Sequence, residues 1–169
     1  MKKNNFLFLI LFFLLFQSCS KSNDNTNPTS TMKFSWSCKV NGVAYSWSGN
    51  SGADGVGGAA CQYNPMTEAF SLGMTNAAVG IVMLIPEYKK ATYVLDGLIG
   101  QSKKTATLQF KNPGGQVYNS SASNKITLVV GEALNDKISG TFSGSLAGIA
   151  PVSTGTVTIT EGKFTLQKY

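Results

Sequence analysis

The sequence predicts an all-β protein, a single antiparallel β-sandwich of about ten short strands. Apolar and polar residues alternate with a period of two over most of the chain after residue 32, as in strands that bury one face. No segment of that region has the apolar stripe of an amphipathic helix. Turn-forming pairs such as Asn41-Gly42 and Glu161-Gly162 interrupt the alternation, which is typical of short strands joined by tight turns.

The chain begins with the features of a secretory signal. Lys2 and Lys3 precede an unbroken apolar run from Phe6 to Phe16, and small or polar residues follow it. The run is shorter than the roughly 17–25 residues that a membrane-spanning helix needs. We therefore expect residues 1–18 to be a signal peptide that is removed.

The residues Phe16-Gln17-Ser18-Cys19 resemble the lipobox of bacterial lipoproteins. In that family the cysteine receives a diacylglyceryl group, the signal is cut just before it, and the cysteine becomes the lipidated first residue. The resemblance implies that Cys19 carries the anchor, with fatty acids such as palmitate holding the protein to a membrane. The alternative is a cysteine that happens to lie beside an ordinary signal-peptidase site.

Residues 19–32 form the second region, the lipidated Cys19 followed by a tether. This stretch is polar, contains one proline and lacks periodic apolar residues, so it is typical of a flexible linker. Ser20 rather than an aspartate follows Cys19, which in the lipoprotein resemblance implies the outer membrane of the cell envelope. Whether the domain faces the periplasm or the cell surface stays open.

Residues 33–169 are long enough for one domain with one core. The domain opens with a β-hairpin around Asn41-Gly42, a pair that favours a type I′ turn. A two-residue loop there places every large apolar residue of the hairpin on one face, with these pairs opposite each other: Val40 and Val43, Cys38 and Tyr45, Trp36 and Trp47.

Two cysteines, Cys38 and Cys61, remain in the domain after Cys19. Disulfides persist in exported proteins, so this even pair predicts a Cys38–Cys61 disulfide. Two buried free thiols are the alternative.

The middle of the chain contains five further predicted strands. The segment "VGIVMLI" is apolar on both faces, which indicates a central strand that is covered on both sides. The inward rows carry bulky side chains, which favours a filled sandwich over the alternative, a closed up-and-down, lipocalin-like β-barrel with room for a ligand. The predicted strands are Ala59 to Tyr63, Thr67 to Met74, Val79 to Ile85, Ala91 to Leu95 and Thr105 to Lys111.

Two more strand pairs are expected in the last third of the chain. The first joins residues 125–131 to residues 137–146, and an odd number of connecting residues, three or five, would place the apolar residues of both on one face. The second is a hairpin that turns at Glu161-Gly162, which would set Ile159 opposite Phe164 with threonine and lysine facing water.

Four segments of the domain are similar to a class of small lipoproteins of unknown function from Bacteroidota. They are "CKVNGVAYSW", "ATYVLDG", "ISGTFSGSL" and "GTVTITEGKFTL", in that order along the chain. Because these segments consist mainly of strand and turn residues, the resemblance implies an all-β fold and an envelope location. It transfers no catalytic residue.

The composition excludes several kinds of chemistry. The chain contains no histidine, so His-based catalytic triads and the usual catalytic zinc ligands are absent. All 14 basic residues are lysine, and the lack of arginine argues against nucleic-acid recognition. The carboxylates are scattered, several of them at predicted turns. We therefore expect no enzymatic activity, no catalytic residues, no cofactor and no metal site.

Two weak candidates for binding remain. The loop Gly49 to Gly58 contains oxygen-bearing side chains, but its single carboxylate, Asp54, is a poor basis for a calcium site. Trp36, Tyr45 and Trp47 would stack on sugars if they were exposed, whereas the alternation directs them into the core.

These features predict a lipid-anchored envelope lipoprotein that is a non-enzymatic structural or protein-interaction module. The alternative is an envelope protein that binds carbohydrates or small apolar ligands. The expected partners are the membrane, through the lipid, and an envelope protein or glycan.

Overall fold

The structure is a computed structural model, and it describes residues 33–53, 57–97 and 105–169. The predicted signal peptide, Cys19 and the tether lie outside the described residues. No helix in the described part of the chain is long and apolar enough to cross a membrane. The strands are β1 Phe34–Val40, β2 Val43–Gly49, β3 Gly58–Asn64, β4 Ala69–Thr75, β5 Gly80–Ile85, β6 Ala91–Leu95, β7 Thr107–Lys111, β8 Val117–Asn119, β9 Ile126–Ala133, β10 Lys137–Gly148 and β11 Thr156–Lys168.

The strands form two groups around one core, which confirms the all-β, sandwich-like fold. One group has the order β2-β1-β11-β10-β9-β6, and the other has the order β3-β4-β5-β7-β8. The groups join at opposite ends of the long β10–β11 ladder. At one end Lys168 of β11 pairs with Cys61 of β3, and at the other Ala147 of β10 pairs with Asn119 of β8.

Hydrogen bonds thus run in a closed circuit through β11, β3, β4, β5, β7, β8 and β10. The circuit differs from an up-and-down barrel because three of its neighbouring pairs, β11–β3, β5–β7 and β8–β10, are not consecutive along the chain. The sheet is also not purely antiparallel, since β11 and β3 run parallel.

The first hairpin has the predicted register. Val40 pairs with Val43, Cys38 with Tyr45 and Trp36 with Trp47. Asn41 and Gly42 have φ angles of 48° and 84°, and positive φ at both central positions is the requirement of a type I′ turn.

The predicted hairpin at Glu161-Gly162 is wrong, because β11 is one continuous strand. Glu161 has a φ of 54°, and the strand carries one extra residue there relative to both of its neighbours, β1 and β10. Before this β-bulge the inward-facing residues of β11 are odd-numbered, such as Val157 and Ile159. After it they are even-numbered, such as Phe164 and Leu166. A bulge and a two-residue turn change the alternation in the same way, so the sequence pattern fits both.

The pair β9–β10 forms, but the predicted connection of three or five residues is wrong: Leu134 N donates to the carbonyl oxygen of Lys137 at 2.8 Å, so the tight turn consists of Asn135 and Asp136. Ile138 pairs with Ala133, whereas Gly140 pairs with Val130, so β9 has one extra residue between these two pairs. This bulge brings the inward-facing residues of β9 and β10 opposite each other. The five middle strands lie close to their predicted positions, and β5 is central, between β4 and β7. The short strand β8 was not predicted.

The interior is filled by large side chains from both groups of strands. One row crosses the second group through Cys61, Leu72, Met83 and Leu108, which pair in succession and are all 0% exposed. Trp36 enters the core from β1 at 2% exposure, and its indole Nε1 donates to the carbonyl oxygen of Thr75 at 3.1 Å. The core therefore consists of packed side chains, as expected for a sandwich.

Candidate functional site

The outer face of the first group of strands carries a shallow groove of about 490 Å³. We call it the hydroxyl groove, because most of its outward-facing side chains are serine or threonine. Strands β1, β2 and β11 supply its walls. Its lining residues are Ser35, Trp36, Ser37, Ser46, Trp47, Ser48, Lys163, Phe164 and Thr165.

The strand register arranges these side chains in two rows. Ser37 of β1 lies between Ser46 of β2 and Lys163 of β11. In the next row Ser35 lies between Ser48 and Thr165, about 4.8 Å from each across the sheet. The rows exist because small polar residues alternate with the apolar ones along each strand.

Both rows continue onto β10. Thr141 pairs with Lys163, and Ser139 pairs with Thr165. Because these side chains are small, they project only a short way from the sheet. On the neighbouring strands β9 and β6, by contrast, the larger side chains of Val129 and Val94 are exposed. The groove is therefore a polar strip on the outer face of the sheet.

Lys163 is the cation of the groove. It is exposed, and it forms no ion pair within the described part of the chain. At the same face, Lys39 contacts Glu161 at 2.7 Å, so its charge is matched within the protein. The hydroxyl groove thus holds one ammonium group whose charge is available to a bound molecule.

The groove has the chemistry of a binding site for polar molecules. Serine and threonine hydroxyls donate and accept hydrogen bonds, and an ammonium group donates up to three. The lining residues include no carboxylate or thiol. Sequence reasoning named two of the lining residues, Trp36 and Trp47, as candidates for ligand binding. It did not single out the serines, Thr165 or Lys163, although the alternation had placed Ser35, Ser37 and the lysines on the outer face.

The aromatic candidates for sugar binding lie against the core. Trp36 is buried, and Tyr45 and Trp47 are half-buried and pack on the core cluster. The ring of Tyr45 contacts the ring of Phe110 at a centroid distance of 6.4 Å. These rings therefore do not form an exposed stacking platform.

Cys38 and Cys61 are both free and buried, so the predicted disulfide is not formed. Cys38 lies opposite the bulge of β11, between the pairs Ser37–Lys163 and Lys39–Thr160, whereas Cys61 pairs with Lys168. Along β11 these positions are about six residues, or roughly 20 Å of strand, apart. A disulfide needs Cα atoms within about 7 Å of each other.

Burial controls the chemistry of both thiols. It raises the pKa of Cys38 to about 11. It raises the pKa of Cys61 to about 12, against an opposing effect of the nearby Lys168 ammonium. Because the thiolate is the reactive form, burial and the raised pKa values predict low reactivity of both cysteines at neutral pH.

The described part of the glycine-rich loop is held by hydrogen bonds within the protein. Gly52 N donates to Gln167 Oε1 at 2.6 Å, and Ser51 Oγ donates to the carbonyl oxygen of Ala53 at 2.7 Å. Asp54 lies outside the described residues. Among those that the structure describes, no group of three or more Cys, Asp or Glu side chains is placed to hold a metal ion.

Comparison of the chain with protein-family models, with curated protein sequences and with solved structures finds no match.

Proposed function

We propose that the protein is a lipid-anchored lipoprotein of the cell envelope, located at the outer membrane, whose all-β domain is a non-enzymatic structural or protein-interaction module. The signal and lipobox pattern at Cys19 support the anchor. The observation that carries the proposed role of the domain is its filled core, in which the large side chains of both groups of strands are buried. Such a domain offers its surface, rather than an internal cavity, to a partner.

The lipid anchor is tested by replacing its acceptor. Cys19→Ala should abolish labelling by a fatty-acid analogue in cells and should release the domain from the membrane fraction, because no thiol remains at the cleavage site. Cys38→Ala is the matched control and should leave the labelling unchanged. Continued labelling of the Cys19→Ala protein would rule out Cys19 as the anchor.

The hydroxyl groove is the proposed contact surface for an envelope protein. Affinity capture with the mature protein from envelope extracts tests this role. Ser37→Arg places a long side chain in the groove, whereas Ser143→Arg makes the same change at an exposed position of β10 outside it. Loss of a captured protein with the first variant only would support the groove as the interface, and equal capture by both would contradict it.

A glycan is the second candidate ligand, and the composition of the groove favours it over an apolar ligand. Hydroxyl groups and Lys163, which forms no ion pair with the residues that the structure describes, suit a carboxylated or sulfated sugar better than an apolar molecule. Binding to a panel of neutral and acidic glycans should be strongest for acidic ones and should fall at least tenfold with Lys163→Glu. Lys111→Glu, outside the groove, is the control; equal losses for both variants would indicate a non-specific charge effect.

A further inference from the structure

One end of the sandwich combines the entry of the chain into the domain with several exposed apolar side chains. Strand β1 begins there at Phe34, and Ser35 pairs with Thr165 near the end of β11. Strand β10 begins at the same end, because Lys137 pairs with Gln167. We call this region the tether end, since the segment that leads to Cys19 joins the domain here.

A chain of contacts links the side chains of the tether end. The rings of Tyr63 and Phe70 lie 5.3 Å apart, and those of Phe70 and Tyr88 lie 5.2 Å apart. The Tyr88 hydroxyl lies 2.5 Å from the carbonyl oxygen of Leu134 and 2.7 Å from that of Lys137, and it donates its hydrogen to one of them. The aromatic cluster is therefore continuous with the β9–β10 turn.

The tether end exposes large apolar side chains. Met66 in the β3–β4 turn is 82% exposed, Tyr169 is 64% exposed, Tyr63 is 51% exposed and Leu134 is 45% exposed. Tyrosine and aliphatic side chains of this kind are favourable at the boundary between lipid headgroups and acyl chains.

Lysines and carboxylates both lie at the tether end, and besides burial the nearby Asp136 of the β9–β10 turn helps to raise the pKa of Tyr88. The ammonium group of Lys168 lies 4.4 Å from the centre of the Tyr88 ring, and Lys33 and Lys90 are exposed. None of these three lysines forms an ion pair within the described residues, whereas Glu87 contacts Lys89. The available positive charge is complementary to anionic lipid headgroups.

We propose that the tether end docks on the surface of the membrane that holds the lipid anchor, with Met66, Tyr63 and Leu134 in the headgroup region. This inference rests on the proposed lipidation of Cys19. Only residues 20–32 separate Cys19 from the domain, so the tether spans at most about 45–50 Å whatever its conformation. So short a connection keeps the tether end at a high local concentration near the bilayer.

The opposite end of the sandwich offers a built-in comparison. It also exposes apolar side chains, with Val43 at 56% and Val152 at 65%. It lies about the length of β11, roughly 40 Å, from the point where the chain enters the domain. A tether of about 45–50 Å allows either end to reach the membrane, so the tether end is favoured by its lysines and by its shorter distance along the chain from Cys19, rather than by exposed apolar area.

Fluorophores at the two ends test the docking. Met66→Cys and Val152→Cys are each introduced into the mature lipidated protein, labelled with a polarity-sensitive maleimide dye, and added to vesicles of phosphatidylethanolamine with a minor share of phosphatidylglycerol. Cys38 and Cys61 are buried and should remain unlabelled. With brominated lipids, we expect the dye at position 66 to be quenched several-fold more than the dye at position 152. Equal quenching, or stronger quenching at position 152, would overturn the docking.

A second substitution separates docking from anchoring. Adding Leu134→Asp to Met66→Cys should reduce the quenching, whereas adding Val43→Asp should not. Flotation of the protein with the vesicles reports the lipid anchor independently, and all variants should float. Flotation without selective quenching would reject the docking alone, and failure of the parent protein to float would reject the proposed anchor.

Discussion

Two cysteines show how a single residue type takes its role from its surroundings. Cys38 and Cys61 lie on strands that reach β11 at different points, so burial rather than pairing determines their properties. Burial in an apolar environment disfavours the thiolate, and this effect raises the pKa of each thiol to about 11 and about 12, respectively. The two thiols therefore behave as small apolar side chains of the core.

Alkylation should reveal this protection directly. In folded protein at pH 8, neither Cys38 nor Cys61 should react with iodoacetamide within the time that a free thiol needs, because both are buried and neutral. In denaturant without a reducing agent, both should react, as measured by mass spectrometry. Failure of the pair to react until a reductant is added would instead demonstrate a disulfide.

The raised pKa values also predict lower stability at alkaline pH. A thiol whose pKa is higher in the folded protein than in the unfolded chain disfavours folding once the unfolded thiol ionises. The contribution of these thiols to stability should therefore be constant below about pH 8, and stability should fall as the pH rises through 9 towards 11–12, the range set by Cys38 and Cys61. Burial also raises the pKa of Tyr88, to about 12, which acts in the same direction.

Thermal unfolding between pH 7 and pH 11 measures this dependence. Cys61→Ala should make the decline shallower than in the parent protein, because one of the groups with a raised pKa is gone. A melting temperature that does not change with pH, or that declines equally in both proteins, would contradict the assignment to Cys61.

At the scale of the element, β11 shows both the strength and the limit of pattern reasoning. The inward residues Val157 and Ile159 are odd-numbered, whereas Phe164 and Leu166 are even-numbered, so a change of alternation between them is certain from the sequence. A turn would fold the strand back on itself, and a bulge lets it continue. The choice depends on the neighbours β1 and β10, which pair with β11 on both sides of Glu161.

Gly162, which follows Glu161 in the bulge, packs closely on β10 and should not tolerate a side chain. A methyl group there would meet the carbonyl oxygen of Phe142 and lie about 2.7 Å from its ring. Gly162→Ala should therefore lower the free energy of unfolding by about 1–3 kcal/mol, as overpacking of a core does. Chemical denaturation measures this change.

Gly73→Ala is the matched control for that measurement. The added methyl group would lie 3.8 Å from the carbonyl oxygen of Ala60, an ordinary contact in the middle of β4. Its effect should be clearly smaller than that of Gly162→Ala. Equal effects would mean that the loss reflects glycine replacement in strands in general, rather than the close packing at the bulge.

At the scale of the whole molecule, the closure of the two groups of strands depends on the last residues of the chain. Gln167 and Lys168 pair with Ala60 and Cys61, and Tyr169 N donates to the carbonyl oxygen of Cys61 at 2.9 Å. Gln167 also accepts a hydrogen bond from Gly52 in the glycine-rich loop. This small parallel contact closes one corner of the sandwich.

Removal of residues 167–169 should open this corner. The amide hydrogens of β3 should exchange faster and the melting temperature should fall, because β3 would lose its neighbour on that side. Tyr169→Ala keeps the backbone hydrogen bonds and should preserve the protection of β3. Unchanged exchange in the truncated protein would show that the β3–β4 pairing holds the corner without β11.

The amino-acid sequence alone predicts the all-β class, the register of the first hairpin, most of the middle strands and the outward position of the serines and lysines. These features follow from local alternation and turn residues, which act between neighbours in the chain. The folded arrangement of the strands is needed to see that β11 bulges instead of turning, that Cys38 and Cys61 stay apart, and that Ser35, Ser46 and Lys163 share one groove. Those outcomes depend on which strands become neighbours across the sheet, and contacts between residues far apart in the chain are not encoded in local periodicity.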